Sequence, residues 1–155
     1  MTIVSAICNS FKQEILVEGH NFTGSTDQFK LALYDSDNAV LSKSTTQWTV
    51  ATDPTADPTS TREVSTTGTG YTSGGNDLTS TTPVVNGDSA CCLFATTTWG
   101  STASFTARGC LIYNETNSDK AVCAINFGAD KTVTTGTFTI EFPAQTAGNA
   151  IIEIT

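Results

Sequence analysis

Residues Phe29–Tyr34 read Phe-Lys-Leu-Ala-Leu-Tyr, and this stretch decides the fold class. Its first, third and fifth side chains project to one face of an extended chain and the other three to the opposite face, because side chains alternate along a β-strand. The turn-forming residues of Asp35–Asn38 then end the apolar segment. The pattern predicts a β-strand.

Similar short segments recur toward the C-terminus and are separated by turn-forming residues. The run Gly68–Gly75 predicts a shaped loop, because glycine tolerates positive φ, and the Thr-, Asp- and Pro-rich run Ser44–Ser60 predicts an exposed loop. The further predicted strands are Arg62–Ser65, Ala90–Ala95, Ser104–Tyr113, Lys120–Phe127, Thr137–Phe142 and Ala150–Ile154. The predicted turns between the later strands are Asn114–Asp119, Gly128–Gly136 and Ala144–Asn149.

The first twenty residues have a different period. Apolar side chains at Ile7, Phe11 and Ile15 recur every four residues, which is typical of an amphipathic helix. With Ser5 as N-cap and Gly19 as the stop, the predicted helix covers Ala6–Glu18. Because so short a helix is marginal alone, we expect its apolar face to pack on the sheet or on another subunit.

Many short strands without alternating helices predict a mostly β fold, either an antiparallel β-sandwich or a jelly roll, with one short N-terminal helix. The length of 155 residues fits a single β domain over 1–155, in which 1–20 form the N-terminal helical segment. The predicted core consists of Phe29, Leu31, Leu33, Leu93, Phe94, Phe105, Leu111, Tyr113, Val122, Ile125, Phe127, Phe138, Ile140 and Phe142.

The charge of the chain limits the classes of partner that it can bind. The chain has 7 Lys and Arg against 15 Asp and Glu, a formal net charge of -8, so there is no basic stripe for a nucleic acid and no attraction to an anionic membrane surface. The N-terminus shows no Sec-type export signal, which predicts synthesis in a reducing cytoplasm. The odd set of five cysteines follows no metal-binding spacing, and we expect small buried thiols, with a structural disulfide as the alternative.

The sequence has few residues that could act in catalysis or bind a metal ion. His20 is the only histidine, and its position predicts a helix-end or turn residue rather than a catalytic base. Most carboxylates fall in turns, whereas Glu63, Glu141 and Glu153 alternate with apolar neighbours and are predicted to face solvent from strands. The sequence therefore predicts no catalytic, cofactor-binding or metal site and no enzyme, with a hydrolase built on paired carboxylates as the remaining enzymatic alternative. The Asp53–Pro58 echo lacks the pattern of a calcium loop.

The two tryptophans receive different interpretations. Trp99 follows a threonine run and precedes a glycine, which favours a position that closes a strand inside the core. Trp48 lies in a polar stretch and is the candidate for an interface, against packing on its own domain.

Three segments carry a resemblance to a known group: Glu63–Gly75, Ser104–Asn114 and the opening Phe29–Tyr34. Together they resemble small structural proteins of tailed bacteriophages, and the resemblance runs from the N-terminal helix to about Pro143. It implies a place in the virion, no enzymatic activity and no cofactor. The chain departs from the pattern at Cys110 and at Cys91–Cys92, where a small apolar residue is expected.

The resulting hypothesis is a capsid decoration or cement protein that binds the major capsid protein on the exterior of the shell and stabilises it. The helical segment, or the residues before it, and the loop around Trp48 are the expected contacts. Self-association is also expected, for example as a trimer at a local threefold site. The alternative is a tail or fibre adhesin that recognises a host surface glycan through Ser44–Ser60 and Gly68–Gly75.

Overall fold

A computed structural model describes residues 2–24, 26–35, 40–48 and 63–155. Helix α1 covers Asn9–Glu14 and continues as a 3-10 turn over Ile15–Val17. The strands of this part of the chain are β1 Thr2–Ile3, β2 Ala6–Ile7, β3 Phe29–Tyr34, β4 Val40–Leu41, β5 Asn76–Leu78, β6 Val84–Asn86, β7 Ser89–Cys92, β8 Thr97–Asn114, β9 Lys120–Ile140 and β10 Ile152–Ile154.

The strands form two antiparallel sheets and one small parallel pair. The larger sheet has the order β2-β9-β8-β3-β5 and the smaller one β10-β7-β6, while β1 pairs with β4 in parallel. This confirms the predicted mostly β, antiparallel fold with one short N-terminal helix and is consistent with a β-sandwich. The strand order does not confirm the jelly-roll alternative.

Strand β3 is the predicted strand Phe29–Tyr34, and it lies between β8 and β5. Five of its six side chains are buried, and Lys30 is half-buried with its ammonium 2.8 Å from the Glu115 carboxylate. Because both of its faces are covered, β3 is the centre of the core.

The longest elements, β8 and β9, form one antiparallel ribbon that the sequence divided wrongly. A turn was predicted at Gly128–Gly136 and a separate strand at Thr137–Phe142, but the chain continues as β9 to Ile140. The pairing shifts between Ala107–Lys131 and Gly109–Asn126, so the bulge at residues 127–130 absorbs the turn-forming residues without ending the strand. The predicted turn Asn114–Asp119 is confirmed as the connection between the two strands.

The helix is shorter than predicted. Ala6–Ile7, the predicted first turn, is strand β2 and pairs with β9, and the Ser5 hydroxyl accepts the Asn126 backbone N–H at 2.8 Å instead of capping the helix. The sheet edge thus provides the backbone partners that a helix would otherwise provide. At the other end, the α-helix stops at Glu14 and the 3-10 turn at Val17, one residue before the predicted end. Glu18 has a left-handed φ of 59°, and the Gly19 N–H donates to the Glu14 carbonyl at 2.8 Å, so the chain turns away where the stop was predicted.

Most of the predicted core is confirmed. The buried members are Phe29, Leu31, Leu33, Phe94, Phe105, Leu111, Tyr113 and Val122. The predicted core residues that are only half-buried are Leu93, Ile125, Phe127, Phe138, Ile140 and Phe142. Leu93 lies between two buried neighbours and points outward, because side chains alternate along an extended chain. The other five pack at the edge of the core along β9 and the residues after it.

The shorter strands differ from the predicted ones in length. Of Arg62–Ser65, Glu63 forms a single bridge with Tyr34, and Arg62 lies outside the described residues. The predicted Ala90–Ala95 and Ala150–Ile154 shorten to β7 and β10. Strands β1, β4, β5 and β6 were not predicted, since each has two or three residues and a strand that short has no readable period.

Candidate protein-binding site

An apolar surface lies where the helical segment meets the smaller sheet. Val85 of β6, Ala90 of β7 and Ile154 of β10 are in register across the three strands, so their side chains share one face. This face is exposed: 81% of Val85 and 53% of Ile154 are accessible. Large apolar side chains in such a row are uncommon on a monomer surface.

The helical segment supplies the other wall of this surface. Ile15 lines a groove of about 70 Å³ together with Ala90 and Ile154, and Leu16, next along the chain, is 83% exposed. We call Ile15, Val85, Ala90 and Ile154 the Val85 patch. Because it joins residues from three distant parts of the sequence, only the folded chain can present it.

The opposite face of the smaller sheet carries Val84, Cys91 and Glu153 and is only partly covered: Cys91 is buried, whereas 43% of Val84 is exposed. The Gln145 side-chain amide donates to the carbonyl oxygens of Thr82 at 2.9 Å and Cys91 at 3.0 Å, and the Gly148 N–H donates to the Glu153 carboxylate at 2.8 Å. The Ser89 hydroxyl and this N–H hold the pKa of Glu153 below its ordinary value. Val85 and Ile154 are nevertheless the most exposed large apolar side chains of this sheet, so their face is the candidate surface for a partner.

Glu63 corrects one prediction. It was expected to face solvent, but only 4% of it is exposed. Its carboxylate accepts hydrogen bonds from the Tyr71 hydroxyl at 2.6 Å, the Ser73 hydroxyl at 3.1 Å and the Gly74 N–H at 2.5 Å. Burial, followed by the nearby Glu63 charge, raises the pKa of Tyr71 well above its ordinary value. Glu63 thus fixes the conformation of the predicted glycine loop. The other two glutamates that were predicted to face solvent, Glu141 and Glu153, are exposed and half-exposed.

His20 was predicted as a helix-end or turn residue; it does follow the helical segment, and it is also buried and hydrogen-bonded on both ring nitrogens. Its ring is buried, with Nε2 2.9 Å from the Glu14 carboxylate and Nδ1 3.1 Å from Nδ2 of Asn114, which also donates to Asp27 at 2.7 Å. The Asn117 N–H donates to Oδ1 of Asn114, which fixes the orientation of that amide. The arrangement anchors the helical segment to the β8–β9 turn.

All five cysteines are buried free thiols, which confirms the first interpretation and rules out the disulfide alternative. Burial, assisted by the Glu14 charge, raises the pKa of Cys8 to about 11. Burial also raises the pKa of Cys92 to about 12 and that of Cys110 well above the ordinary value. Burial and the raised pKa values both disfavour the thiolate form of these side chains at neutral pH.

The tryptophans pack within the domain. Trp99 is buried, as predicted, but it lies near the start of β8 and does not close a strand; it contacts Tyr71 and Phe138. Trp48 is half-buried and stacks on Tyr113 with ring centroids 5.2 Å apart. The part of its predicted loop after Trp48, including the Asp53–Pro58 echo, lies outside the described residues, as does most of the predicted turn after Asp35.

Among the described residues, no group of three or more His, Cys, Asp or Glu side chains could hold a metal ion. None of the helices in that part of the chain has the length and apolar content needed to cross a membrane. No protein-family model, curated protein or solved structure matches this chain.

Proposed function

We propose that the chain is a structural protein of a tailed-bacteriophage virion, a capsid decoration or cement protein that binds the major capsid protein on the outside of the shell. The observation that carries the proposal is the Val85 patch, because an exposed apolar row beside a groove is typical of a protein-binding surface. The sequence resemblance supplies the class of partner.

The charge of the chain supports an exterior position. A net charge of -8 would oppose packing against the phosphates of the enclosed DNA, whereas the outside of a shell imposes no such repulsion. The stabilising effect on the shell would add up over many copies, since the same contact is repeated at every equivalent lattice position.

Solvent exposure favours a different part of the helical segment for the proposed contact than its apolar helix face. Phe11, on the apolar face of α1, is buried in the core and is not accessible to a partner. The side chains after the helix, Leu16 and Val17, are 83% and 71% exposed. We therefore assign the capsid contact to the end of the helical segment together with the Val85 patch.

The proposal is tested first by copy number in purified virions, measured by quantitative mass spectrometry against the major capsid protein. A ratio near one to one, or another fraction that a capsid lattice allows, supports decoration. A few copies per hundred capsid subunits would instead favour the tail or fibre adhesin, and absence from the particle would overturn a virion role.

The contact itself is tested by Val85→Glu in a co-sedimentation assay with shells that lack this chain. The substitution places a charge on the most exposed side chain of the apolar face, so we expect binding to weaken by about tenfold or more. Thr67→Glu adds the same charge at an exposed loop position and should bind as the unaltered chain does. Equal binding by both variants, with β-structure intact by circular dichroism, would contradict the assignment of the contact.

A further inference from the structure

The hairpin between β6 and β7 contains a residue pair with chemistry of its own. Asn86 ends β6 and Gly87 follows it, and no other asparagine of the chain precedes a glycine. Asn86 pairs with Ser89 across the hairpin, so Gly87 and Asp88 form a two-residue turn, in which Gly87 has a φ of 63°. Asn86, Gly87 and Asp88 are all exposed.

The two atoms that could react are the Gly87 backbone nitrogen and the side-chain amide carbon of Asn86. A bond between them closes a five-membered ring, and glycine has no Cβ to obstruct the approach. The Gly87 N–H has no hydrogen-bond partner among the described residues, so no bond of the sheet has to be given up at this nitrogen. The nucleophile is therefore adjacent to the amide and unengaged.

The amide oxygen of Asn86 has a donor in place. The Ala147 N–H donates to Oδ1 of Asn86 at 3.2 Å. Such a donor draws electron density from the amide carbon and stabilises the negative charge that develops on the oxygen during attack. Asn117, by contrast, is followed by a serine, and its amide nitrogen donates to the Gly19 carbonyl oxygen.

The hairpin can also provide the rotation that ring closure needs. The backbone at Asn86 is extended and must turn before the two atoms meet. β6 has only three residues, all of them exposed, and among the described strands it pairs with β7 alone. Such an outer strand belongs to the parts of a fold that open locally at low cost in free energy.

We propose that Asn86 is a site of spontaneous deamidation. The Gly87 nitrogen loses its proton to solvent base and bonds to the Asn86 amide carbon, while the bond from that carbon to the amide nitrogen breaks. The amide nitrogen takes up a proton from water and leaves as ammonia. Water then opens the cyclic imide at either carbonyl, which gives aspartate or isoaspartate at position 86. No oxidant or reductant takes part.

The products would alter the Val85 patch. Both place a negative charge next to Val85, and isoaspartate also adds one carbon to the backbone of the hairpin. The added carbon disturbs the pairing of Val85 with Ala90, on which the alignment with Ile154 depends. Deamidation is therefore expected to weaken binding at the patch. This consequence rests on the proposed function, whereas the reaction itself does not.

The test is incubation of the full chain at pH 8, followed by peptide mapping with mass spectrometry and by enzymatic methylation of isoaspartate. We expect the change from amide to acid at Asn86 before any other asparagine, with isoaspartate at the same position. Gly87→Ala is the matched variant, because nothing lies within 4 Å of the added Cβ while the methyl group obstructs ring closure. It should slow the reaction severalfold, with β-structure intact by circular dichroism.

The proposal would be overturned by an Asn86 that keeps its amide while another asparagine reacts, or by Gly87→Ala reacting as fast as the unaltered chain. Co-sedimentation with shells that lack this chain tests the consequence separately. The incubated chain should bind more weakly than fresh chain, and incubated Gly87→Ala should bind as its fresh form does. Equal binding of incubated and fresh unaltered chain would overturn the effect on the patch. Fresh chain that does not bind would instead contradict the proposed function and leave the deamidation result standing.

Discussion

The Tyr71 hydroxyl donates a hydrogen bond of 2.6 Å to the carboxylate of Glu63, and both side chains are buried. The same carboxylate accepts the Gly74 N–H at 2.5 Å, and the Tyr71 oxygen in turn accepts the Leu33 N–H at 2.9 Å. A buried carboxylate therefore connects the glycine loop to the central strand β3.

Glu63→Ala should lower the free energy of unfolding by about 3 kcal/mol, because it leaves the buried Tyr71 and Gly74 donors unsatisfied and removes the acceptor of the exposed Ser73 hydroxyl. Urea denaturation followed by circular dichroism measures the loss. Asp88→Ala removes an exposed turn carboxylate and should change stability by less than about 0.5 kcal/mol. Equal effects of the two substitutions would mean that the hydrogen bonds of Glu63 do not stabilise the fold.

Gly75→Ala should destabilise the protein by more than about 3 kcal/mol, since an added Cβ would lie 1.7 Å from the Leu31 carbonyl oxygen and 2.9 Å from the Ala32 Cα. Both atoms belong to the backbone of β3 and cannot move aside without disturbing the core. Gly87→Ala is the control for backbone strain alone: Gly87 also has a positive φ, of 63°, but nothing lies within 4 Å of an added Cβ, so we expect a cost of about 1 kcal/mol. Thermal unfolding of the two variants should separate them clearly, and similar melting temperatures would contradict the close approach.

Asn114→Ala should cost about 2–3 kcal/mol, because it removes two donors and one acceptor from a fully buried position. The His20 ring should also lose its fixed environment, which its proton NMR signals would report. Asn149→Ala, at an exposed turn, is the matched control and should leave both the stability and the His20 signals unchanged. An unshifted His20 spectrum in Asn114→Ala would show that the Asn114 contact does not position the ring.

The thiols should resist alkylation in the native protein. At pH 8 the thiolate of Cys8, whose pKa is raised to about 11, is a small minority, and all five side chains are buried. We expect iodoacetamide, followed by intact mass, to add no label at pH 8 and five labels after unfolding in guanidinium. Raising the pH toward 10 should increase labelling only slowly, because access to the buried sulfurs remains limiting. Rapid labelling at pH 8 would contradict the burial of that site.

The strands that could be predicted from the sequence are those in which apolar and polar side chains alternate regularly. Strand β3 and the C-terminal half of β8 follow directly from the alternation in Phe29–Tyr34 and Ser104–Tyr113. The full length of β9 does not, because glycine at 128 normally marks a turn and only the pairing with β8 turns it into part of a bulge. The N-terminal strand β2 could not be predicted either. Ile7 fits a helical period, and the edge of β9 with which β2 pairs lies far away in the sequence.

The candidate site was less accessible to sequence reasoning. Val85 and Ile154 look like ordinary strand residues, and their exposure arises because the inner face of the smaller sheet extends past the core. Glu63 shows the converse: its local alternation indicates solvent, while its partners Tyr71 and Gly74 become close only when the glycine loop folds back. No local pattern encodes either outcome.

The place of β3 in the larger sheet has a consequence for synthesis of the chain on the ribosome. β3 pairs with β8 and β5, and both partners follow it in sequence, so its apolar residues leave the ribosome long before the strands that cover them. The β8–β9 hairpin, by contrast, pairs neighbouring segments and forms as soon as it emerges. Productive folding therefore waits for the C-terminal ribbon, and until then the nascent chain must keep Phe29–Tyr34 from aggregating with its neighbours.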